Sequence, residues 1–432
     1  MTFTPPSTRD LLIYQSASPC PRLKIYAEIS VFLLGFLCLI VPSGYSYGAV
    51  MLLLGGIYTL FTNKGGLPLD RYDKLILGSL LLFGAEGIFS WLWHGFDGNF
   101  DKVVRFILAI PIFYLIYRAR PALHALWLGL AFGVLAAFVF AVYQKFHLGM
   151  PRASGHSNAI QFGNLAMLMG LLCSAGLGWA HSLKKHRRKL MVLLVLGAVA
   201  GVVTSALSGS RGGWVGLPII LVVLFFAYQS IISLRVRLIG LALLVIGGFF
   251  LVSNSQIGVK DRISQAYHEI SLFQEGKVNT SVGFRLEMWR GAIKLAQEKP
   301  LFGWGEKGYQ QGMQQLSEHG DFHADIAVFG HAHNEFIDRM AKQGLMGLIA
   351  LIILYQVPLW TFATAKRESN LATWSVAMAG ILLSLCYFDF GLTQAFLRHN
   401  NGVMVYVSYM MVIAGYFKVT RFNQAVSSIN PT

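Results

Sequence analysis

Apolar runs of about 18 residues recur along the whole chain, each long enough to cross a hydrocarbon core of roughly 30 Å. Lipid cannot hydrogen-bond an open backbone, so a chain of this pattern folds as a bundle of membrane-crossing helices. Spans are expected near 25–41, 47–62, 74–93, 103–118, 122–144 and 158–180. Six more are expected near 190–207, 213–230, 236–253, 334–363, 371–391 and 402–418. The expected class is an all-α polytopic membrane protein with about twelve transmembrane helices. Composition agrees: 55% of the 432 residues are hydrophobic and 13% charged, too few charges to cover a soluble domain of this size. The first residues, MTFTPPSTRD, are polar and are not those of a cleavable signal peptide; the first span is expected to serve as the targeting signal.

A net charge of +15 suggests nucleic acid, but the positions of the charges argue for topology instead. Most basic residues fall in breaks on one side, as in HSLKKHRRK and at Lys64, Arg118, Arg120, Arg235, Arg237, Lys418 and Arg421. The short loops opposite carry few, and the asymmetry of about three to one puts both termini in the cytoplasm. No nucleic-acid partner is implied. Cys20, Cys38, Cys173 and Cys386 form no CxxC pair and read as packing residues.

Three segments follow from this layout: residues 1–253 with nine spans, a large outward loop at 254–333, and residues 334–432 with three spans and a short cytoplasmic end. The loop contains GFRLEMWRGAIKLAQEKP, whose Phe284, Met288, Ala292 and Leu295 recur at helical spacing until Pro300 and a GWG turn end it. A loop of that length with its own structure is expected to carry function.

Chemistry-bearing side chains gather near its end. His319, Asp321, His323, Asp325, His331, His333, Glu335 and Asp338 lie within twenty residues. A solvated polar loop would tolerate them. Alternating His331 and His333 could ligate a metal, although the spacing matches no standard zinc pattern. The third possibility is a catalytic histidine, because His333 stands where an aqueous loop enters a span and is held by a rigid element. In that span Gly344 and Gly347 have the small-residue spacing that lets helices pack closely.

Arginines on the same side form a second group. Arg211 sits in SGSRGGW beside Ser210, Arg285 in GFRLEMW and Arg152 in MPRASGHSN. A guanidinium matches phosphate oxygens, and a Gly/Ser turn offers backbone N–H groups to an anion. Each alone is as readily an interfacial arginine snorkelling to headgroups. Together, opposite the topogenic charge, they favour a phosphate-bearing ligand. Glu86, Asn164, Asp389 and Gln394 are polar groups within or near spans, where such groups are costly. Asp389 is expected to orient an arginine or histidine, or to hold helices together. No phosphate loop, GxGxxG or paired acidic metal motif is present, so no nucleotide or cofactor is expected.

His333, Asn334, nine residues, then Gly344 and Gly347 resemble the histidine signature of the O-antigen ligase and polymerase superfamily. TSALSGSRGGW resembles that family's outward SGSR turn, and Gly283 to Gly308, with Arg285, Trp289 and Pro300, resembles the start of its large periplasmic loop. The likeness covers essentially the whole chain. It implies a GT-C-like, metal-independent membrane glycosyltransferase of the Gram-negative inner membrane, with a periplasmic site. The implied donor is an undecaprenyl-pyrophosphate-linked O-antigen, and the implied acceptor is the lipid A–core oligosaccharide. His333 would be the general base, with Arg211, Arg285 and Arg152 on the pyrophosphate. Asn334, Ser210, Gly344, Asp389 and His331 would support them. Ligase is preferred over polymerase on compactness and the fit of the histidine motif. A flippase or transporter would need polar residues across the midplane, whereas here they gather at one face.

Overall fold

The computed structural model describes residues 10–11, 14–15, 19–62, 68–210, 212–253, 259–275, 277–318, 322–323, 329–365 and 370–429. Their regular secondary structure is helical, and no strand occurs among them. In chain order the helices are α1 (Pro21–Phe36), α2 (Gly44–Thr62), α3 (Arg71–Trp93), α4 (Phe100–Leu108), α5 (Ile110–Ala119) and α6 (Leu123–Val142). Next come α7 (Ala159–Ala175), α8 (Leu177–Ser182), α9 (Arg187–Ser208), α10 (Leu217–Ala227) and α11 (Leu234–Ser253). The expected large loop contains α12 (Val259–Gln274), α13 (Ser281–Glu298) and α14 (Gly305–Glu318). The chain then runs through α15 (Glu335–Ala363), α16 (Leu371–Thr393) and α17 (Asn400–Ile429).

Eight helical stretches among the described residues are long and apolar enough to cross a membrane, and the chain is a membrane protein. The other four expected spans are helical but depart from the simple form. α1 has 16 residues and α10 only 11. The span expected at 103–118 is two helices, α4 and α5, parted at Ala109. Pro111 has no N–H to return to the Ile107 carbonyl, so one helical hydrogen bond is missing at this break. α11 has 20 residues, with Arg235 and Arg237 in its first turn.

Helix α17 runs through the middle of the bundle, with 94% of its most apolar window buried. Two of its tyrosines, and one facing them from α16, satisfy their buried hydroxyls on carbonyls. Tyr406 donates to Leu354 O at 2.7 Å, Tyr416 to Ala122 O at 3.1 Å, and Tyr387 of α16 to Gly402 O at 2.7 Å. Where α1 crosses α6 the backbones nearly touch: a Cβ on Gly35 would stand 2.5 Å from the Gly129 carbonyl carbon.

Lys418 and Arg421, expected to be topogenic surface charges, are instead buried. Lys418 bonds Asp73 and the Pro68 carbonyl, and Arg421 Nη2 meets Asp70 Oδ2 at 3.0 Å, so α17 is clamped to the start of α3. Removing one partner of a buried pair leaves the other charge uncompensated, at a cost of about 3–5 kcal/mol. Lys418→Ala is therefore expected to lower the thermal unfolding temperature of the solubilised protein markedly. An unchanged melting curve would show the clamp to be dispensable.

The expected helix in the large loop is present as α13. Its Met288, Ala292 and Leu295 pack with Tyr309 and Met313 of α14 and with Ala332 and Ala341 at the head of α15. The loop core is thus continuous with the segment that carries His333.

Gly344 does not serve as a helix-packing small residue. It breaks α15, with φ 67° and ψ −160°. The turn at 300–305 enters the break and exchanges hydrogen bonds with it. Leu345 N donates to Pro300 O at 2.7 Å, and the Ala341 carbonyl it would have used accepts from Trp304 N at 3.1 Å. Gly303 must be as small, since a Cβ there would lie 2.3 Å from the Lys342 carbonyl carbon.

Candidate active site

The segment Gly330–Asn334, just ahead of α15, is pinned at almost every residue. Gly330 O accepts from Lys342 Nζ and from Arg398 Nη1, each at 2.8 Å. Ala332 N donates to Asp338 Oδ1 at 3.0 Å, and Ala332 O accepts from Trp289 Nε1 of α13 at 2.7 Å. Asn334 caps α15, its Oδ1 accepting from Phe336 N and Ile337 N at 3.0 and 3.1 Å. Its amide also donates to Leu392 O at 3.0 Å. Between these fixed points His333 adopts φ 50°, a left-handed conformation that costs a side-chain-bearing residue energy and persists only where neighbours hold it.

That turn aims the His333 ring at the end of α16. Its Nδ1 meets Gln394 Oε1 at 2.5 Å, and Gln394 Nε2 meets His399 Nε2 at 3.2 Å. His331 lies against His333 with ring centroids 4.1 Å apart and the rings tilted by 46°. Burial, opposed by the Gln394 bond and reinforced by the Arg285 cation, holds His333 below its ordinary pKa. Burial and then the charges of His333, Arg398 and Lys342 push His331 down to about 2. Burial and the Lys102 and Arg398 cations bring His399 to about 4. All three rings are therefore neutral near pH 7, which leaves one nitrogen of each as an acceptor.

Arg285 projects from α13, half-buried, and its charge reaches His333. Burial draws its own pKa down against the attraction of Glu269. Arg211 lies outside the described residues, as do His319, Asp321 and Asp325. The turn around Arg211 is nevertheless well seated. Ser210 Oγ donates to Asn164 Oδ1 at 2.7 Å, and Gly212 and Gly213 lie against the same asparagine. Arg152 Nε donates to the Ser208 carbonyl at 2.7 Å, at the C-terminal end of α9 where the helix dipole favours a cation. Asp389, expected to orient an arginine or histidine or to hold helices together, accepts from the backbone N–H of Gly216 at 2.6 Å. It fixes the far end of the same turn.

Several residues that order this site carried no local motif. Glu306 of α14 meets Lys342 at 3.0 Å and Arg398 at 2.8 Å, and Lys342 also meets Asp338 at 3.1 Å. Burial alone would raise the Glu306 carboxyl, but the two cations hold it below its usual range. Glu306, Asp338, Lys342 and Arg398 also line a cavity of about 90 Å³, together with Ser90, Trp91, His94, Lys102 and Arg339 among others. A lysine inside an apolar helix was the available sequence signal for Lys342. No group of three metal-ligating side chains occurs among the described residues.

Residues 196–352 match the family model described as O-antigen ligase. This stretch is similar to the O-antigen ligase family. The matched stretch includes Ser210, Arg211, Arg285, His333 and Gly344, and leaves out Arg152, Asp389, Gln394 and His399. An uncharacterised protein of Haemophilus influenzae is 28% identical over 386 residues, 89% of this chain and 96% of its own. The O-antigen ligase of Escherichia coli K12 is 25% identical over 221 residues, about half of each chain. The matched stretch thus contains both the head of α15 and the loop helices that pack on it.

Proposed function

We propose that this chain is an O-antigen ligase that joins a polysaccharide carried on undecaprenyl pyrophosphate to a sugar hydroxyl of the lipid A–core oligosaccharide. The observation that carries this is His333, fixed through Nδ1 by Gln394 and lying in the stretch similar to the O-antigen ligase family, with the Arg285 cation acting on it. Its Nε2 has no hydrogen-bond partner among the described residues.

In the proposed step the acceptor oxygen forms a bond to the anomeric carbon as the bond from that carbon to the pyrophosphate oxygen breaks. His333 Nε2 takes the hydroxyl proton, and the electron pair leaves with undecaprenyl pyrophosphate. One displacement of this kind inverts the anomeric configuration. Arg211 and Arg285 hold the pyrophosphate and stabilise the charge it gains. Arg152, Ser210, Asn164 and Asp389 keep the turn bearing Arg211 in place. A pyrophosphate is already a good leaving group, so neither nucleotide nor metal is required.

Twelve crossings, with α4–α5, α10 and the other short helices completing the bundle, put both termini in the cytoplasm. The loop at 254–333 and the His333 segment then face the periplasm, where the charge asymmetry of the short loops also places them.

The test is a reconstituted transfer from undecaprenyl-pyrophosphate-linked polysaccharide to lipid A–core, with EDTA and without nucleotide. Attachment of polysaccharide to the core with inverted configuration is the expected result. Lengthening of the lipid-linked chain with a bare core would instead make the protein a polymerase. Retained configuration would rule out the single displacement.

A further inference from the structure

Gln394 and His399 lie outside the matched stretch and belong to no motif, yet Gln394 bonds the nitrogen of His333 that the proposed reaction does not use, and His399 bonds Gln394 in turn. The direction of the two hydrogen bonds follows from their chemistry. An amide oxygen only accepts, so His333 Nδ1 must carry the proton that meets Gln394 Oε1. The amide nitrogen only donates, so His399 Nε2 must be the bare nitrogen that receives it. With its proton fixed on Nδ1, His333 can hold its lone pair only on Nε2.

Resting on the ligase mechanism proposed above, we infer that Gln394 is a positioning residue and His399 its orienting partner. Together they fix the His333 tautomer so that Nε2 is the proton acceptor. The arrangement fails if His399 becomes a donor. A protonated or cationic side chain at 399 repels the amide N–H and attracts the amide oxygen. Gln394 then turns over and presents its NH₂ to His333 Nδ1, which moves the ring proton to Nε2 and removes the base.

The surroundings keep His399 on the accepting side. Cations face it from α4, through Lys102, and from its own turn, through Arg398, while the His333 and His331 rings face it from the head of α15. Around His333 the charged groups are Arg285 of α13, Asp338 of α15 and Arg398. A neutral amide fixes the ring while favouring its protonated form less than a carboxylate would.

The inference predicts a graded set of transfer rates in reconstituted full-length protein, supplied with undecaprenyl-pyrophosphate-linked polysaccharide and lipid A–core. Gln394→Ala should lower kcat by about tenfold or more with little change in the donor KM. Gln394→Glu still accepts from Nδ1 but favours the imidazolium, so the acid limb of its pH–rate profile should move up by about one pH unit or more. His399→Lys, a fixed donor, should lose at least about tenfold more activity than His399→Gln, which retains an accepting oxygen. Monodisperse elution and an unaltered donor KM separate these effects from misfolding. An unmoved acid limb in Gln394→Glu, or equal rates for the two His399 variants, would overturn the inference while leaving the ligase function intact. Full activity of His333→Ala would instead remove the mechanism on which it rests.

Discussion

Replacing His333 with alanine is expected to lower the turnover of polysaccharide transfer by about 10²- to 10⁴-fold, the usual contribution of a positioned general base. Folding should survive, because the backbone around residue 333 is held by other groups. Asn334 keeps its cap on α15, Trp289 its bond to Ala332, and Lys342 and Arg398 theirs to Gly330. Donor affinity should change little, since the proposed mechanism puts the pyrophosphate on the arginines and not on the imidazole. The wild-type pH profile gives a second check with a definite sign. The base must be neutral to accept a proton, and burial holds His333 below its ordinary pKa. Activity should therefore be flat through pH 7 and fall only on the acid side, below the ordinary histidine range. An acid limb at or above that range would identify a different base.

Gly344→Val is expected to be as damaging by a structural route. The residue has φ 67°, which a β-branched side chain resists, and its Cβ would lie 2.3 Å from the Leu301 carbonyl carbon. Backbone cannot yield at that distance, so the 300–305 turn would leave the break in α15. Its departure would unpair Leu345 N and the Ala341 carbonyl and would separate Glu306 from Lys342. The combined cost is on the order of several kcal/mol. A large drop in the unfolding temperature together with loss of transfer should be seen. Gly240→Ala is the control, because nothing lies within 4 Å of the added carbon. A Gly344→Val protein that melts like the wild type would show that the loop is not seated through this break.

Much of the architecture was legible in the residues alone, for a physical reason. Whether a stretch crosses a membrane depends on its own length and apolarity, and helical spacing is likewise local. The helix at 281–298, with Met288, Ala292 and Leu295 facing inward, could therefore be read before any contact was known. The cluster ending in His333 was visible because polar residues are scarce in such a chain. Helix breaks were less legible. Pro111 splits one expected span, but the break at Gly344 depends on a turn forty residues earlier filling the gap.

The sequence by itself determined that this is a helical membrane protein, that its polar chemistry collects around the head of one helix, and which histidine and arginines to examine. Only the tertiary structure decided which groups hold His333 and Arg152. His333 and Gln394 are 61 positions apart, and Arg152 and Ser208 are 56 apart. Hydrogen bonds across such distances leave no periodicity or spacing in the chain; they exist because packed helices bring particular atoms within 3 Å or so. For the same reason Lys418 and Arg421 read as topological charges until α17 was found buried against Asp70 and Asp73. Apolarity fixes which segments enter the membrane, while the partners of the few polar groups inside are fixed by how those segments pack.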